Sequence, residues 1–293
     1  MSDFSALARS LTTFVTTMVV TRSNVSQLLF TAFSNRLDAL EVARQAVAGL
    51  KAEGISSKVH LLDTAERPEL DEDTLVVSLG GDGTFLQSAR LAHAHGARVL
   101  AVNLGRLGFL LNVPSNEIVE SVNDALEHNQ VVERLALSIS FEGGFEQEFA
   151  LNEVVVERAH AGHMVRVKTY VAEDEFLTYS ADGVMVATPT GSTGYNFSAG
   201  GPVMDTTLQA MVITPIAPHF TIDRSIVVDG DKVVRLVADN KPAIIVADGH
   251  TVGSLAPGQQ IVVRKSSRPV RVVATRSFDL GFRLRESLRE GHA

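Results

Sequence analysis

The sequence contains no cysteine and no tryptophan, and only 6% of its 293 residues are aromatic. The absence of cysteine excludes disulfide bonds, thiolate nucleophiles and zinc sites built on thiolates. The apolar N-terminal run Leu11–Val20 contains four threonines and is far shorter than the roughly 18 residues of a membrane-spanning helix. We therefore read its later part, Phe14–Thr21, as a first buried strand, and we expect a cytoplasmic protein with no membrane partner.

Positive charge is also scarce, because 26 Lys and Arg residues face 34 Asp and Glu residues and the net charge is −8. This balance argues against a protein that binds nucleic acid or anionic membranes non-specifically, although it permits a local basic site for phosphates. The content of 45% hydrophobic and 20% charged residues is typical of a globular protein with one large or two moderate cores.

A glycine-rich turn, Leu79–Phe85, directly follows the apolar and β-rich run Thr74–Ser78. The chain thus leaves a buried strand through a sharp turn that glycine permits, which places Asp82 at the carboxyl end of the strand. Ligands of open α/β sheets bind at such ends, and the N–H groups exposed by the turn favour anions. In the simpler interpretation, Asp82 caps Thr84 and a helix over Phe85–His95.

A second segment begins with Asp182-Gly183 and continues through Thr188–Pro202. It contains a glycine pair, Gly200-Gly201, and a single tyrosine, Tyr195. Short donors and acceptors around an aromatic ring are typical of a site for ribose hydroxyls, phosphates and a stacked base. The segment carries five hydroxyl side chains, namely Thr188, Thr190, Ser192, Thr193 and Ser198.

The pattern of apolar runs predicts two architectures that meet near residue 130. Strands alternate with helices up to that point, which indicates an α/β domain over residues 1–130 with a parallel sheet. Short β-rich runs dominate afterwards and predict a mainly antiparallel β domain over residues 131–276, followed by a tail over 277–293 that is helical in character over Asp279–Arg289. The predicted first-domain elements are the strands Phe14–Thr21, Ser57–Leu62, Thr74–Leu79 and Arg98–Asn103 and the helices Asn35–Glu53, Phe85–His95 and Asn116–His128. The predicted later strands are Leu135–Phe141, Glu148–Val156, Val165–Val171, Gly183–Ala187, Met211–Thr214, Ser225–Val228, Lys232–Val237, Ala243–Ala247, Gln260–Arg264 and Val270–Arg276.

Several motifs in this order resemble the NAD kinases, which phosphorylate the adenosine ribose 2′-hydroxyl of NAD. The Gly-Gly-Asp-Gly turn alone is less specific, because lipid kinases and phosphofructokinases carry similar turns. The resemblance runs from about Leu75 to Phe282 and rests on Gly80–Thr84, Asn103–Phe109, Leu151–Glu153, Asp182-Gly183, Thr188–Pro202 and Pro215–His219.

The resemblance implies a role for each matching residue. Asp82 would accept the proton of the 2′-hydroxyl, while Asn152 and Glu153 would hold ribose hydroxyls. Without the family, this pair reads as a surface pair that enters strand Val154–Val156. Further residues are expected to bind the dinucleotide or its phosphates, with Phe109 and Tyr195 as flat surfaces for its rings. They are Gly81, Gly83, Thr84, Phe109, His163, Ser180, Asp182, Thr190, Ser192, Thr193, Gly194, Tyr195, Asn196, Ser198, Asp248 and His250.

Two positions depart from the family pattern. Most similar sequences have alanine where this chain has Gly194, so the loop gains backbone freedom. Some have arginine at the position of Ser180, and without that cation the phosphate donor and the preference between NAD and NADH are left open. His160 and His163 lack the carboxylate or thiolate neighbours of a metal site, so we assign no residue to a metal.

We therefore expect an enzyme that uses ATP or polyphosphate as phosphate donor, with a divalent ion, magnesium, on the donor phosphates. We also expect a homo-oligomer, either a dimer or a tetramer, and no nucleic-acid partner. A lipid kinase would share the first turn, but it does not explain Thr188–Pro202. A non-catalytic dinucleotide sensor would keep the binding loops but would not need Asp82.

Overall fold

The computed structural model of the chain describes residues 25–105, 110, 113–128, 130–141, 147–219, 222–274 and 281. The predicted strand Phe14–Thr21, the candidate ring contact Phe109 and nearly all of the tail 277–293 lie outside the described residues. None of the helices in the described ranges has the length and apolarity needed to cross a membrane.

The described elements alternate between strands and helices in the first half and are almost entirely strands in the second half. In chain order they are β1 (Gln27–Ala32), α1 (Leu37–Ala52), β2 (Ser57–Leu61), β3 (Thr74–Gly80), α2 (Asp82–His95), β4 (Arg98–Asn103), β5 (Val113–Pro114), α3 (Ile118–His128), β6 (Val131–Arg134), β7 (Leu137–Phe141), β8 (Gln147–Ala150), β9 (Glu153–Arg158), β10 (Val165–Val171), β11 (Asp174–Ala181), β12 (Gly183–Ala187), α4 (Tyr195–Ser198), β13 (Ala210–Ile216), β14 (Ile226–Asp229), β15 (Val234–Ala238), β16 (Ala243–Ala247), β17 (His250–Leu255), β18 (Gln260–Lys265) and β19 (Val270–Val273).

The first region is a seven-stranded sheet in the order β2-β1-β3-β4-β19-β6, with β5 paired to β4. Its pairs are parallel except for β19 with β6. Helices cover both faces of the sheet, which is why β3 is buried along its whole length. Val77 and Leu79 pack toward α1 and α3, whereas Val76 packs toward Phe85 on α2.

The second region consists of two six-stranded sheets, β11-β10-β15-β18-β7-β8 and β14-β13-β12-β9-β16-β17. All their pairs are antiparallel. Alternate residues of both sheets, such as Val165 and Val167 on β10, meet in one core around the fully buried Tyr179. The predicted fold class, a parallel α/β domain with a mainly antiparallel β domain, is confirmed.

Some strands differ from the predicted ones. Five strands of the structure, β1, β5, β6, β11 and β17, were not predicted, although Leu28-Leu29-Phe30 in β1 is a clear apolar run. The predicted strand Glu148–Val156 is two strands, β8 and β9, because the backbone bends between them. Both β6 and β19 pair in the first sheet, although they fall in the range 131–276 assigned to the second domain. Apolar alternation identifies a strand, but it does not say which sheet the strand joins.

Candidate active site

The first glycine turn connects β3 directly to α2. A side chain at Gly80 would collide with the side chain of Thr84, so the close approach of turn and helix requires glycine there. Gly81 takes the N-cap position in an extended conformation, and α2 begins at Asp82 rather than at the predicted Phe85. Asp82 is thus a residue of the first helical turn and not a cap that precedes a helix at Phe85. Its half-buried carboxylate lies where backbone N–H groups favour negative charge.

The bend between β8 and β9 is held by Asp248. The two carboxylate oxygens of Asp248 accept hydrogen bonds from the backbone N–H groups of Leu151 (2.7 Å), Asn152 (2.8 Å) and Glu153 (3.2 Å). Asp248 itself has a positive φ of 47°, and its N–H donates to the Glu153 carbonyl. Asp248 is predicted to lie near the ligand, but its carboxylate accepts the hydrogen bonds that shape the backbone of the Asn152-Glu153 pair.

Glu153 is a buried carboxyl group, with a relative exposure of 8%. Burial, followed by the nearby charge of Asp248, raises its pKa to about 8. Burial also raises the pKa of Asp248, against the opposing effect of the three N–H donors. Glu153 Oε2 and Asn152 Oδ1 are buried atoms with no hydrogen-bond partner within the protein. The alternative interpretation of this pair as an exposed surface feature is therefore wrong.

The second glycine loop packs against this pair. The Thr188 hydroxyl donates to the Leu151 carbonyl at 2.5 Å, and the Thr188 N–H donates to the Asn152 carbonyl at 2.8 Å. Gly191 lies so close to the backbone of Asn152 that a Cβ there would overlap it. The structure therefore brings together two segments that are separated by about 40 residues in the sequence, as the hydrogen bond from Thr188 to Leu151 shows (|i−j|=37).

Two polar side chains of the loop serve its internal structure. Ser192 Oγ donates to the Pro189 carbonyl and accepts from the Met204 N–H. The Asn196 amide donates to the carbonyls of Ser192 and Pro202, and its oxygen accepts from Thr214. Both residues are fully buried, so neither presents its polar group on the surface of the loop.

Other polar groups of the loop are available for a ligand. Thr190 Oγ1 is buried without a hydrogen-bond partner. Tyr195 is 42% exposed, Ser198 is exposed and Thr193 is half-buried. Burial raises the pKa of the Tyr195 hydroxyl, and the negative charges of Glu157, Asp182 and Glu153 raise it further. The phenol is therefore neutral near pH 7 and offers a flat ring surface.

Helix α2 contacts the second region at β8 and at His250. The Arg90 guanidinium donates to Glu148 Oε2 at 3.1 Å and to the Phe149 carbonyl at 2.8 Å. Gln87 lies one helical turn after Asp82–Gly83, and its amide is 3.3 Å from the His250 ring. The structure thus places His250 next to α2, while the His250 ring also contacts the Asp248 carbonyl oxygen.

The remaining predicted residues lie further along the second region. Ser180 is on β11, and its carbonyl accepts from the His219 N–H. Asp182 lies between β11 and β12, where its carboxylate pairs with Arg158 at 2.6 Å. His163 is exposed in the connection from β9 to β10. Within the described ranges, no three His, Asp or Glu residues are grouped closely enough to hold a metal ion.

A glycine turn at a helix N-terminus on the parallel α/β domain and a polar glycine loop on the antiparallel β domain are together suited to bind a nucleotide and its phosphates. Two family models match the chain: the ATP-NAD kinase N-terminal domain over residues 4–131 and the ATP-NAD kinase C-terminal domain over residues 151–275. The chain belongs to the NAD kinase family, as the sequence resemblance predicts.

Similar proteins cover most of the chain. The NAD kinase of Heliobacterium modesticaldum is 38% identical over 273 residues, which span 86% of this chain and 95% of the relative. That of Geotalea daltonii is 36% identical and covers 85% of this chain and 93% of its own. An NAD kinase from Archaeoglobus fulgidus, solved in complex with ATP, superposes with a TM-score of 0.67 at 26% identity over 91% of this chain and 98% of that chain. Yeast NADH kinase complexed with NADH has the same fold, with a TM-score of 0.78 at 22% identity over 91% of this chain and 89% of that chain.

Proposed function

We propose that this kinase transfers the terminal phosphoryl group of ATP to the adenosine ribose 2′-hydroxyl of NAD and so makes NADP. The main support for the proposal is a set of three buried polar atoms that have no hydrogen-bond partner in the protein. They lie where the bend between β8 and β9 meets the second glycine loop. These atoms are Asn152 Oδ1, Glu153 Oε2 and Thr190 Oγ1. A buried polar atom without a hydrogen bond costs about 1–3 kcal/mol, so such atoms are expected where a ligand completes the bonding.

The chemistry of the Asn152-Glu153 pair fits ribose hydroxyls. Because the pKa of Glu153 is about 8, its side chain is largely protonated near pH 7 and is both donor and acceptor. A ribose hydroxyl is likewise both donor and acceptor, so it pairs with this carboxyl without requiring a second buried charge. Asn152 then accepts a hydrogen bond from a neighbouring hydroxyl through Oδ1. The pair thereby orients the ribose for the reaction.

Asp82 supplies the general base in this proposal. As the bond from the 2′-oxygen to phosphorus forms, the hydroxyl proton passes to the Asp82 carboxylate and the bond to the ADP leaving group breaks. Gly81 and Gly83 have open space where a side chain would stand, and their N–H groups belong to the N-terminal turn of α2. This turn is suited to hold the anionic donor phosphates.

The donor phosphates provide most of the coordination for a magnesium ion. Magnesium in kinases is usually held by one or two carboxylates together with substrate phosphates. A magnesium ion bound to these phosphates would supply neutralisation of the charge on the transferred group. A cytoplasmic location and a homo-oligomeric state stay predictions of the sequence.

The direct test is to incubate the purified chain with NAD, magnesium and either ATP or polyphosphate, and to measure NADP by chromatography. We expect NADP with ATP, and the polyphosphate reaction decides whether the second donor is also used. Diacylglycerol replaces NAD in a parallel reaction. Faster turnover of diacylglycerol would support a lipid kinase, and NAD binding without any turnover would support a sensor.

An NAD analogue that lacks the adenosine 2′-hydroxyl tests the site of transfer. It should bind within roughly tenfold of the affinity of NAD, because it loses about one hydrogen bond, and it should inhibit NADP formation competitively. It should not be phosphorylated. Phosphorylation of this analogue would show that the reaction uses another hydroxyl.

A further inference from the structure

The ion pair between Arg158 and Asp182 lies at one end of the second glycine segment. Arg158 is the last residue of β9, and Asp182 directly precedes β12. Arg158 Nη1 donates to Asp182 Oδ1 at 2.6 Å, and the two side chains are only 34% and 29% exposed. Partial burial makes such a charge-assisted bond stronger and more directional than a fully exposed pair.

The backbone around Asp182 is held from both sides. The Arg158 N–H donates to the Asp182 carbonyl at 2.9 Å, and the Asp182 N–H donates to the Ile216 carbonyl at 2.9 Å. A Cβ at Gly183 would lie 2.9 Å from the Val156 carbonyl oxygen, so β9 and β12 approach closely at this point. With the backbone held in place, the guanidinium of Arg158 determines where the carboxylate of Asp182 points.

The same ion pair adjusts the charge beside Tyr195. Glu157, Asp182 and Glu153 lie near enough to act on the Tyr195 hydroxyl electrostatically. Glu153 is largely protonated near pH 7, so the negative charge beside Tyr195 comes from Glu157 and Asp182, and it repels a dinucleotide, which carries two negative phosphates. Arg158 brings a positive charge into this group, whereas Ser180 on the neighbouring strand brings none.

We propose that Arg158 is a positioning residue for the dinucleotide, which fixes the Asp182 carboxylate as a contact for the bound substrate and offsets the negative charge beside Tyr195. The inference rests on the proposed function, because it assumes that the ligand is NAD. Arg158 acts through Asp182 in the binding of substrate and does not take part in the transfer of the phosphoryl group.

The first test compares Arg158→Gln with a matched control, Lys168→Gln. Lys168 forms an ion pair of 2.7 Å with Asp239 and lies on β10 in the other antiparallel sheet, so its removal also breaks one ion pair. For R158Q we expect the KM for NAD to rise about tenfold with kcat within about twofold of the unaltered enzyme. K168Q should change neither. An unchanged KM in R158Q, or a loss confined to kcat, would overturn the proposal.

A double-mutant cycle with Asp182→Asn separates positioning from general stability. If Arg158 acts through Asp182, adding R158Q to D182N raises the KM little further, whereas independent effects multiply and contradict the proposal. In the R158Q background, Ser180→Arg should lower the KM again by restoring a cation; failure to do so removes charge compensation from the proposal.

If R158Q does not fold, Arg158→Lys is measured instead, and a KM between those of the unaltered enzyme and D182N is expected.

NAD binding by calorimetry keeps this test distinct from the test of the proposed function. If the unaltered chain binds NAD but makes no NADP, the proposed reaction fails while the affinities of the R158Q and K168Q variants still decide the role of Arg158. If the chain makes NADP and R158Q binds NAD with normal affinity, only the role of Arg158 fails.

Discussion

The two glycine loops of this protein differ in what surrounds particular glycines. At the first loop, Gly81 and Gly83 face open space, and no atom lies within 4 Å of an added Cβ at either position. At the second loop, Gly191 and Gly201 are packed against the backbone of Asn152 and the side chain of Asn196. The first loop therefore leaves open space at Gly81 and Gly83, whereas the second packs tightly at Gly191 and Gly201.

This contrast extends to the polar side chains. The first loop carries one carboxylate, Asp82, at a helix N-terminus, and we propose it as the general base. In the second loop, Thr188, Ser192 and Asn196 form internal hydrogen bonds, while Thr190 does not. A dense group of hydroxyls is thus a mixture of scaffold and binding groups. Substitutions should separate the two kinds.

The largest effect is expected at the first loop. Asp82→Asn keeps the shape of the side chain but removes its basicity, so kcat should fall by about 10²–10⁴-fold with little change in NAD affinity. Steady-state kinetics and calorimetry measure the two quantities. A parallel loss of affinity would assign Asp82 to binding, and near-normal turnover would remove it from the role of base.

The pH dependence of the free energy of unfolding tests the raised pKa of Glu153, which lies beside the second loop. The pKa of Glu153 is raised to about 8 in the folded protein, so the unfolded chain releases this proton at lower pH than the folded chain does. The free energy of unfolding should therefore fall as pH rises from about 4.5 to about 8, by at least about 2 kcal/mol. Denaturant unfolding at a series of pH values measures this decrease.

Glu153→Gln should reduce that pH dependence, since the amide does not titrate. Part of the decrease should persist, because the pKa of Asp248 is also raised by burial. Glu157→Gln replaces another carboxyl group on the same strand and serves as the matched control, which should keep the decrease. An E153Q variant with an unaltered pH dependence would contradict the assignment of the titration to Glu153.

The difference between packed and open glycines predicts a loss of stability at a packed position and a loss of donor binding at an open one. Gly191→Ala should destabilise the protein by about 1–3 kcal/mol, because the new methyl group overlaps the Asn152 backbone. Gly81→Ala should leave stability nearly unchanged but weaken binding of the phosphate donor, since its methyl group fills open space. Thermal unfolding and the KM for ATP measure these effects.

Gly194→Ala is the control for both glycine variants. A Cβ at Gly194 would lie 3.4 Å from the Gly191 carbonyl oxygen, which is an ordinary contact, so the alanine of similar sequences fits here. We expect its stability and kinetics to be close to those of the unaltered enzyme. If G191A is as harmless as G194A, the contrast between packed and open glycines is wrong.

The smallest effects distinguish the hydroxyls of the second loop. Ser192→Ala leaves the Met204 N–H without its acceptor and should cost about 1–2 kcal/mol of stability. Thr190→Val removes a hydroxyl that has no partner in the protein, so stability should not fall, while NAD affinity should decrease several-fold. Denaturant unfolding and calorimetry provide the comparison. Normal NAD affinity in T190V would exclude its hydroxyl from the binding site.

Much of the fold could be predicted from local patterns. The boundaries of β4, β10, β12 and β16 coincide with the predicted segments, since uninterrupted apolar or alternating runs between turn residues mark strands clearly. The single predicted strand Glu148–Val156 failed because the carboxylate of Asp248, almost 100 residues later (|i−j|=97), bends the chain at Leu151. No local pattern contains that interaction.

The family, the order of the α/β and β regions and the two glycine loops follow from the sequence alone, because apolar periodicity and motifs of adjacent residues specify them. Which polar groups of those loops are available to a ligand depends on tertiary packing. Ser192 accepts a hydrogen bond from the Met204 N–H, and Thr188 donates one to the Leu151 carbonyl, so both hydroxyls stabilise the loop. The buried oxygens of Asn152, Glu153 and Thr190 were left without partners. The physical reason is that the role of a hydrogen-bonding group depends on the atoms packed around it, and most of those atoms come from distant parts of the chain.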